Sequence, residues 1–460
     1  MSSQNLTAVE IAKQAREASK SLQGITAAHK SAALSRIQEY IKNAKEDILK
    51  ANALDRANAE KEVAAGKLSA SLFKRLDIEG PNGSKFDTML KGVAEVDSLP
   101  DPSGQVSLAT RLDNGLDLYR VAVPVGVMLV IFEARPEVIV NISALALKSG
   151  NAVILKGGKE AIHTMTALYK ALRAALESLP AELSIPPSAV QLVSSREEIA
   201  SLLDQDKYID IVIPRGSGSL VRYIQDSTRI PVLGHADGLC SVYVDKQADL
   251  NKVVDLVVDS KTNYPAACNS AETLLVHEDV VESHLPAIAK GLFAKGVELH
   301  ADEKSYQVLK QVEGGKVIPA VEEDYDTEFL DLTMAVKVVK SVDEAIDHIY
   351  THGSKHTECI ITEDAPTAEL FMTKVDAAGA YWNASTRFAD GFRYGFGAEI
   401  GVSTNKTHAR GPVGLEGLMI YKYRLYGNGQ TAGSYGVGEN DKHYLHEQIP
   451  LDSVKNKFVR

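Results

Sequence analysis

The stretch Asn263-Tyr-Pro-Ala-Ala-Cys268-Asn-Ser-Ala-Glu-Thr-Leu-Leu-Val-His277 sets one cysteine between a loop and a strand. Tyr-Pro and two alanines precede Cys268 and predict a loop with little side-chain bulk around the thiol. The β-branched and aliphatic run at residues 273–276 predicts a buried strand behind it. A thiol on such a loop suits a nucleophile, because it can meet a substrate while its backbone stays fixed. A lone cysteine is more often a packing residue, so the rest of the chain must decide between the two interpretations.

Chain length and charge narrow the class of protein. At 460 residues the chain exceeds one ordinary core, so two large domains are expected. The formal net charge of −11 disfavours binding to nucleic acid, because an acidic surface repels phosphate backbones. No stretch approaches about 20 uninterrupted apolar residues, so no membrane span is expected. The polar start at residues 1–5 lacks the apolar segment of a signal peptide.

The three cysteines, Cys240, Cys268 and Cys359, are an odd number without a Cys-x-x-Cys pair. They fit neither a disulfide framework nor a zinc site, and they suit a reducing cytoplasm. Cys240 and Cys359 fall within strand-like sequence at residues 239–244 and 358–361. We therefore expect both to be buried or inert, and Cys268 alone to carry covalent chemistry.

Hydrophobic periodicity predicts an α/β chain with one antiparallel ribbon. Residues 7–78 show helical spacing after a capping box at Thr7. In the apolar segment 105–123, Asn114-Gly115 signals a hairpin, and such a ribbon needs another domain or subunit to pack against. From residue 127 onward aliphatic strands alternate with helices, which predicts parallel sheets covered on both faces. Ligands of such sheets bind beyond the carboxyl ends of the strands.

Three segments that follow predicted strands of the first sheet are polar or glycine-rich. Arg135 follows the strand at residues 127–132 and could meet an anion, although a surface ion pair would also explain it. Lys156-Gly157-Gly158-Lys159 puts two ammonium groups where a nucleotide ribose could lie, or else forms a solvated loop. Gly216-Ser217-Gly218 opens a helix whose backbone N–H groups could approach a phosphate, or else is an ordinary turn.

A histidine series invites a metal site that we do not expect. His348, His352 and His356 recur at i, i+4 and i+8. Gly353-Ser354 interrupts the helix between the second and the third histidine, and no acidic or thiol partner is suitably placed in the sequence. We therefore predict no bound metal.

Over nearly its whole length, the chain resembles the γ-glutamyl-phosphate reductase family of the aldehyde dehydrogenase superfamily. The family signature reads here as Val339-x5-Ala345-Ile346-x-His348-Ile349-x2-His352-Gly353-Ser354-x-His356-Thr357-Glu358-x-Ile360. Two further segments are similar to those of the family, Asn383-Ala-Ser-Thr-Arg387-Phe388 and His408-Ala-Arg-Gly-Pro-Val-Gly-Leu-Glu416. The resemblance implies an aldehyde dehydrogenase-like α/β fold, with a Rossmann-like cofactor domain, an α/β catalytic domain and a β-ribbon that joins subunits.

Domain boundaries follow from the same resemblance. The cofactor domain would span residues 1–238, apart from the hairpin at 105–123, and the catalytic domain would span residues 239–415. The oligomerisation ribbon would combine residues 105–123 with residues 416–430. Residues 431–460 would then form a C-terminal tail.

Compared residue by residue, the chain keeps the positions that the superfamily uses for chemistry and cofactor binding. Cys268 takes the place of the nucleophile, and Lys156 that of the lysine on the adenosine ribose. Gly216-Ser217-Gly218 resembles the pyrophosphate turn, and Glu328 matches the glutamate on the nicotinamide ribose. Lys159 stands where NAD-preferring relatives carry a glutamate, which implies NADPH as the cofactor.

Two departures set the chain apart from oxidising relatives. Arg135 replaces an asparagine, and Gly234-His235-Ala236 replaces the stretch with the deacylating glutamate. Hydrogen bonds to an oxyanion are then expected from the Cys268 N–H and from Asn269. Candidates for contacts with substrate phosphate and carboxylate are Arg135, Arg387 and Arg410.

The implied reaction is reduction of L-glutamyl 5-phosphate by NADPH to L-glutamate 5-semialdehyde and phosphate, a step of proline synthesis. Cys268 would form a thioester and expel phosphate, and hydride transfer would follow. The alternatives are an aldehyde dehydrogenase that hydrolyses its thioester and a catalytically silent scaffold with the same fold. Expected partners are the small-molecule substrate, further copies of the chain, and transiently the glutamate kinase that makes the acyl phosphate.

Overall fold

The N-terminal region is helical. The computed structural model describes residues 6–193 and 197–460, so the polar start at residues 1–5 lies outside the described residues. The first helix begins with the predicted capping box. The Thr7 hydroxyl accepts from the Glu10 N–H, and the Glu10 carboxylate accepts from the Thr7 N–H at 2.8 Å. In the described residues, the α-helices before the first strand are α1 Ala8–Leu22, α2 Ala27–Asn43, α3 Lys45–Ala64, α4 Ala70–Arg75 and α5 Ser84–Ser98.

A two-stranded antiparallel ribbon follows the helices. Its strands are β1 Val106–Asp113 and β2 Leu116–Pro124, joined by the turn at Asn114-Gly115. Gly115 has a φ of +72°, a left-handed conformation that glycine adopts without steric cost. The turn chemistry that signalled the hairpin in the sequence therefore matches the turn that forms.

The first α/β unit forms a parallel sheet. Its elements are β3 Val127–Phe132, α6 Val138–Ser149, β4 Ala152–Lys156, α7 Ile162–Glu177, β5 Val190–Val193, α8 Glu197–Leu203, β6 Ile211–Arg215 and α9 Gly218–Ser227. The strand order is β5-β4-β3-β6. Every residue of β3 and β4 is buried, as expected of strands that helices cover on both faces. Lys156 and Arg215 end their strands and so lie at the same carboxyl edge.

The second α/β unit forms a larger parallel sheet. Its elements are β7 Cys240–Val244, α10 Leu250–Thr262, β8 Ala271–His277, α11 Val281–Phe293, β9 Glu298–Ala301, α12 Glu303–Leu309, β10 Val317–Pro319, β11 Thr333–Val339, α13 Val342–His352, β12 Thr357–Ile361, α14 Ala365–Lys374 and β13 Gly379–Trp382. The strand order is β10-β9-β11-β8-β7-β12-β13. Strand β8 is buried along its whole length and has β7 as a neighbour, and β12 lies on the other side of β7.

The last part of the chain completes the ribbon. Its remaining elements are β14 Gly401–Ser403, β15 Gly411–Val413, β16 Met419–Tyr426, β17 Glu447–Gln448 and α15 Leu451–Val454. Strand β16 pairs with β2 and β17 pairs with β1, which gives an antiparallel sheet in the order β16-β2-β1-β17. The segment 431–460, which we predicted as a separate tail, thus contributes an edge strand to the ribbon.

The predicted α/β class is confirmed by these two parallel sheets with helices between their strands. The boundary that we placed between residues 238 and 239 falls in the connection from the first sheet to β7. Within the described residues, no helix combines the length and the apolar character that crossing a membrane requires.

Candidate active site

Three side chains meet at the amino edge of the second sheet. Cys268 precedes β8, His235 precedes β7, and His356 precedes β12, and these three strands are neighbours. Parallel neighbours begin at the same edge, so residues that are far apart in sequence come together just before them. The carboxyl-end rule therefore describes the edge of the first sheet, whereas the thiol belongs to the opposite edge of the second.

The Cys268 thiol lies against two imidazoles. His356 Nε2 is 3.2 Å from Cys268 Sγ, and His356 Nδ1 is 2.9 Å from the Thr357 hydroxyl. His235 Nδ1 is 2.8 Å from the Val402 carbonyl oxygen, so that nitrogen carries a proton and donates. A ring nitrogen of His235 also lies within 4.8 Å of the sulfur, and its ring meets that of His356 edge to face at 5.0 Å.

The imidazoles control the protonation of the thiol. Burial acts to raise the pKa of Cys268, but the positive charges and hydrogen bonds of His356 and His235 outweigh it and hold that pKa well below its usual range. Burial likewise acts to lower the pKa of His235, but the Cys268 thiolate and the Val402 carbonyl raise it to about 9. At neutral pH, Cys268 is therefore a thiolate and His235 an imidazolium.

Small and buried groups fix the backbone around Cys268. A Cβ at position 238 would collide with the Cys268 carbonyl, so Gly238 is required for the two loops to touch. Below the loop, the Ser270 hydroxyl donates to the Lys261 carbonyl at 3.1 Å. Lys261 Nζ lies 2.6 Å from a Glu272 carboxylate oxygen, and both side chains are almost fully buried. Such a buried pair holds its place firmly, because removing one partner leaves an uncompensated charge.

Two backbone N–H groups beside the sulfur are free. Among the residues that the structure describes, neither the Cys268 N–H nor the Asn269 N–H has an acceptor. The Asn269 side chain is already engaged, because its amide donates to the Ala389 carbonyl at 2.8 Å and its oxygen accepts from Arg387. The backbone groups are therefore better placed than the Asn269 amide to hold a negatively charged oxygen.

The predicted adenosine and pyrophosphate contacts lie along the carboxyl edge of the first sheet. Lys156 is buried at the end of β4, whereas Lys159 is exposed. Ser217 caps α9, and its N–H donates to the Glu133 carboxylate at 2.9 Å. A carboxylate thus occupies the position where the glycine-rich turn is expected to meet a phosphate, which fits a helix end that attracts anions.

Glu328 lies beside the thiol instead of at that edge. Its carboxylate accepts from the Gly238 N–H at 2.9 Å. Burial raises the pKa of Glu328, and the charge of Cys268 adds to this effect against the Gly238 hydrogen bond. Gly238 therefore links Glu328 to the cysteine loop, and a ribose held by Glu328 would stand next to the sulfur.

A cavity of about 900 Å³ lies next to the loop that carries Cys268, and Tyr264 of that loop is part of its lining. Cys268 does not line it, but the lining residues Arg215 and Glu399 lie close enough to Cys268 for their charges to interact. Arg75 also lines the cavity and donates to the Ala266 carbonyl in the cysteine loop at 3.4 Å. The basic side chains of the lining are Lys74, Arg75, Lys85, Lys91, Arg135 and Arg215.

Of the three arginines that we predicted to contact substrate, only Arg135 lines this cavity. Arg387 is buried, and its guanidinium donates to the Asn263 carbonyl and to the Asn269 side chain. Arg410 forms an ion pair with Asp376 at 2.9 Å. Arg387 thus supports the cysteine loop, and Arg410 already has an anionic partner, so Arg135 is the best placed of the three.

The histidine series is divided between two places. The ring centres of His348 and His352 lie 4.5 Å apart on α13, with the rings tilted by 35°, whereas His356 lies beyond the end of that helix. Our argument that no thiol is suitably placed is wrong for His356, which contacts Cys268. The donor atoms of His235, Cys268 and His356 lie within 4.8 Å of one another, a set that could also hold a metal ion. A metal there would cover the sulfur and compete with its use as a nucleophile.

Sequence reasoning missed two residues of this site. Arg215 ends the strand next to the one that Arg135 follows, so applying the carboxyl-end rule to both strands would have found it. No sequence signal pairs His356 with Cys268, because their contact depends on the order β8-β7-β12 in the sheet.

Comparisons with known proteins place the chain among characterised families. Residues 2–306 match the aldehyde dehydrogenase family. A probable γ-glutamyl phosphate reductase of Schizosaccharomyces pombe is 54% identical over 447 residues, which cover 97% of this chain and 98% of that protein. The γ-glutamyl phosphate reductase of Saccharomyces cerevisiae is 49% identical over 458 residues, with the same coverage. The crystal structure of γ-glutamyl phosphate reductase from Thermotoga maritima is similar with a TM-score of 0.86 and 40% identity, covering 93% of this chain and all of that one.

Proposed function

The chain belongs to the aldehyde dehydrogenase family, and from this premise we propose that it reduces L-glutamyl 5-phosphate with NADPH. The products are L-glutamate 5-semialdehyde and phosphate, and the reaction is a step of proline synthesis. The γ-glutamyl phosphate reductases that are similar over nearly the whole chain support this substrate. The proposed route passes through a thioester on Cys268.

One observation carries the covalent route, namely the 3.2 Å contact between Cys268 Sγ and His356 Nε2. A thiolate is the reactive form of cysteine, and an imidazole in contact with the sulfur favours it at neutral pH. A cysteine that served only packing would need neither this contact nor the two free N–H groups beside it.

The proposed mechanism uses these groups in sequence. The Cys268 thiolate attacks the acyl carbon, and the N–H groups of Cys268 and Asn269 hold the oxygen as it becomes negative. Phosphate leaves with the electrons of the C–O bond and takes up one proton. NADPH, when bound, supplies the hydride that reduces the resulting thioester. The thiohemiacetal then collapses to the aldehyde and returns the thiolate, which His356 and His235 again stabilise.

The residues at the carboxyl edge of the first sheet fit a dinucleotide. The Ser217 N–H at the start of α9 already donates to the Glu133 carboxylate. A pyrophosphate could take the place of this carboxylate and bind to the same helix end. Lys156 would contact the adenosine ribose, and the exposed Lys159 would meet the 2′-phosphate of NADPH. Glu328 would hold the nicotinamide ribose near Cys268.

The same site disfavours hydrolysis of the thioester. Hydrolysing relatives use a carboxylate to activate water where this chain has Gly234-His235-Ala236. The Cys268 thiolate raises the pKa of His235 to about 9, but a thioester lacks that negative charge, so His235 is the residue of this stretch to test as a base. A thioester protected from water makes sense in a reductase, because hydrolysis would waste the activated substrate.

Reverse turnover tests this proposal. With the semialdehyde and NADP⁺ but no phosphate, we expect about one equivalent of NADPH per active site, because the thioester forms and then waits for a nucleophile. Adding inorganic phosphate should restart turnover and release acyl phosphate. General-base help typically contributes 10²–10⁴-fold, so its absence should slow hydrolysis by about that factor. The measurement is NADPH absorbance before and after phosphate is added.

Two results would favour the alternatives. Brisk multiple turnover in phosphate-free buffer would mean that a hydrolytic base operates, with His235 as the first suspect, and that the chain is an oxidising dehydrogenase. Absence of NADPH both without and with phosphate would leave the silent scaffold.

Cofactor choice gives a second prediction. Lys159→Glu should remove an attraction for the 2′-phosphate worth about 1–3 kcal/mol and so lower the preference for NADPH over NADH roughly 5- to 150-fold. The measurement is the ratio of kcat/KM for the two cofactors. Lys170→Glu, which makes the same charge change at an exposed position on α7, should leave the ratio unchanged. An unchanged ratio in Lys159→Glu would mean that another group contacts the 2′-phosphate.

The ribbon and the cysteines support the remaining proposals. Tyr421, Tyr423 and Leu425 on β16 are each more than half exposed, and such a strand suits contact with further copies of the chain. We also propose a reducing cytoplasm, because Cys268 must remain a free thiol. The acyl phosphate is labile, so transient contact with the glutamate kinase that makes it would be advantageous.

A further inference from the structure

Two arginines end neighbouring strands at the cavity beside Cys268. Strands β3 and β6 pair with Phe132 opposite Arg215, and Arg135 follows β3 by a few residues. Both arginines line the cavity. In the described part of the chain, neither guanidinium forms a salt bridge or a side-chain hydrogen bond. The fold thus brings two positive charges to this cavity without a salt-bridge partner for either among the described residues.

The surroundings of Arg215 do not neutralise this pair. Burial lowers the pKa of Arg215, and the charge of Arg135 lowers it further, while Glu399 and Glu137 act in the opposite direction. Neither carboxylate reaches salt-bridge distance, and Glu399 instead accepts from the Gly391 N–H at 2.7 Å. Burial raises the pKa of both Glu137 and Glu399, and the charge of Arg215 acts to lower both. Two like charges held together in this way are stabilised by an anion that binds between them.

The position of the pair relates it to the reacting bond. The charge of Arg215 acts on Cys268, so the guanidinium lies within electrostatic reach of the sulfur. In an acyl phosphate, only one oxygen separates phosphorus from the carbon that the thiolate attacks. The phosphate of a substrate poised for attack must therefore lie close to the sulfur, within electrostatic reach of Arg215.

We propose that Arg135 and Arg215 together bind the phosphate group, an assignment that rests on the proposed reduction of an acyl phosphate. In the forward direction they hold the leaving group as the C–O bond breaks, and in reverse they hold the inorganic phosphate that attacks the thioester. Guanidinium groups suit this role because each can offer two N–H groups to two phosphate oxygens. Their charge compensates the negative charge that develops on the departing oxygen.

The first test needs only the protein, inorganic phosphate and iodoacetamide. Phosphate at constant ionic strength should slow alkylation of Cys268 in a saturable way. The phosphate concentration that gives half of this protection should rise roughly 10- to 150-fold in Arg215→Gln and in Arg135→Gln, as expected for a lost hydrogen bond to a charged group. Arg215→Lys should fall between these variants and wild type, because it keeps the charge and loses the fork.

Lys91→Gln is the matched control. Lys91 lines the same cavity, but it is exposed and pairs with Glu95 at 3.4 Å, so its loss should leave phosphate protection unchanged. Thermal melts of all variants check that they fold.

Reverse turnover provides the second test. In the arginine variants the KM for phosphate should rise by the same factor, while the KM values for NADP⁺ and the semialdehyde stay within a few-fold. A similar rise of all three KM values would overturn the assignment in favour of a structural role. Equal phosphate protection in wild type and arginine variants, or no protection in wild type, would overturn it while the reductase activity stands. Arginine-dependent protection in a protein without reverse turnover would support the phosphate site and refute the proposed reaction instead.

Discussion

Cys268→Ala is expected to reduce turnover of glutamyl phosphate by a factor on the order of 10⁴–10⁶, the range seen when a covalent nucleophile is removed. No other described group can replace it, because the other two cysteines are buried. NADPH affinity should stay within a few-fold of wild type, since the adenosine and pyrophosphate contacts that we propose lie on the first sheet. The measurements are steady-state reduction of acyl phosphate generated in place by a glutamate kinase, and NADPH binding by fluorescence.

Cys359→Ala is the control for the removal of a thiol. Cys359 is buried in β12, and burial raises its pKa, so its sulfur should take no part in the reaction. This variant should keep nearly full activity. Turnover by Cys268→Ala within about tenfold of wild type would refute the covalent route.

His356→Ala is expected to slow alkylation of Cys268 about 10²-fold at pH 6.5 and to shift its pH profile to alkaline values. Without this imidazole, fewer positive charges oppose the burial of the sulfur, and the thiol pKa rises. A thiol with a pKa of about 8.5 is only about 1% ionised at pH 6.5. Because a less acidic thiol is intrinsically more nucleophilic, part of this loss is offset once it ionises. The variant should therefore recover reactivity as the pH approaches 9.

The rate of alkylation of wild type should depend much less on pH. His356 and His235 hold the pKa of Cys268 well below its usual range, so we expect alkylation to be nearly flat from pH 6.5 upward. His235 loses its proton as the pH rises through about 9, which removes its stabilisation of the thiolate above that pH. His352→Ala is the matched control, because His352 contacts Asp326 at 2.9 Å instead of the thiol. A profile for His356→Ala that overlays wild type would mean that His356 does not activate Cys268.

The sequence carries much of the fold because its signals are local. The capping box at Thr7, the Asn114-Gly115 turn and the unbroken aliphatic runs each describe a structure that neighbouring residues determine. The strand behind Cys268 follows from the same kind of pattern and is buried as expected. The segment 431–460 gave no such signal, because β17 has only two residues and its pairing with β1 is long-range.

The site was harder to predict from the sequence, because the order of strands in the sheet decides which residues meet there. The loop residues around Cys268 identified the thiol, but its two imidazoles come from segments that precede other strands. The spacing of the histidines suggested that His356 belongs with His348 and His352 on α13. The helix ends at His352, however, so His356 lies outside it. Arg387 is a further example, since this candidate for substrate contact is buried and donates to Asn269. Exposure and partners of a charged side chain are properties of the packed structure.

The most direct test of the central claim is the mass of the peptide that contains Cys268 after the protein meets the semialdehyde and NADP⁺ without phosphate. The acyl-enzyme should then accumulate, because phosphate, the nucleophile that releases it in the proposed reaction, is absent. We predict that this peptide gains the mass of a glutamyl group in thioester linkage, and that inorganic phosphate or hydroxylamine removes it. The thioester route would be contradicted if NADPH formed while the peptide with Cys268 kept its unmodified mass, at time points when the glutamyl group should still be attached.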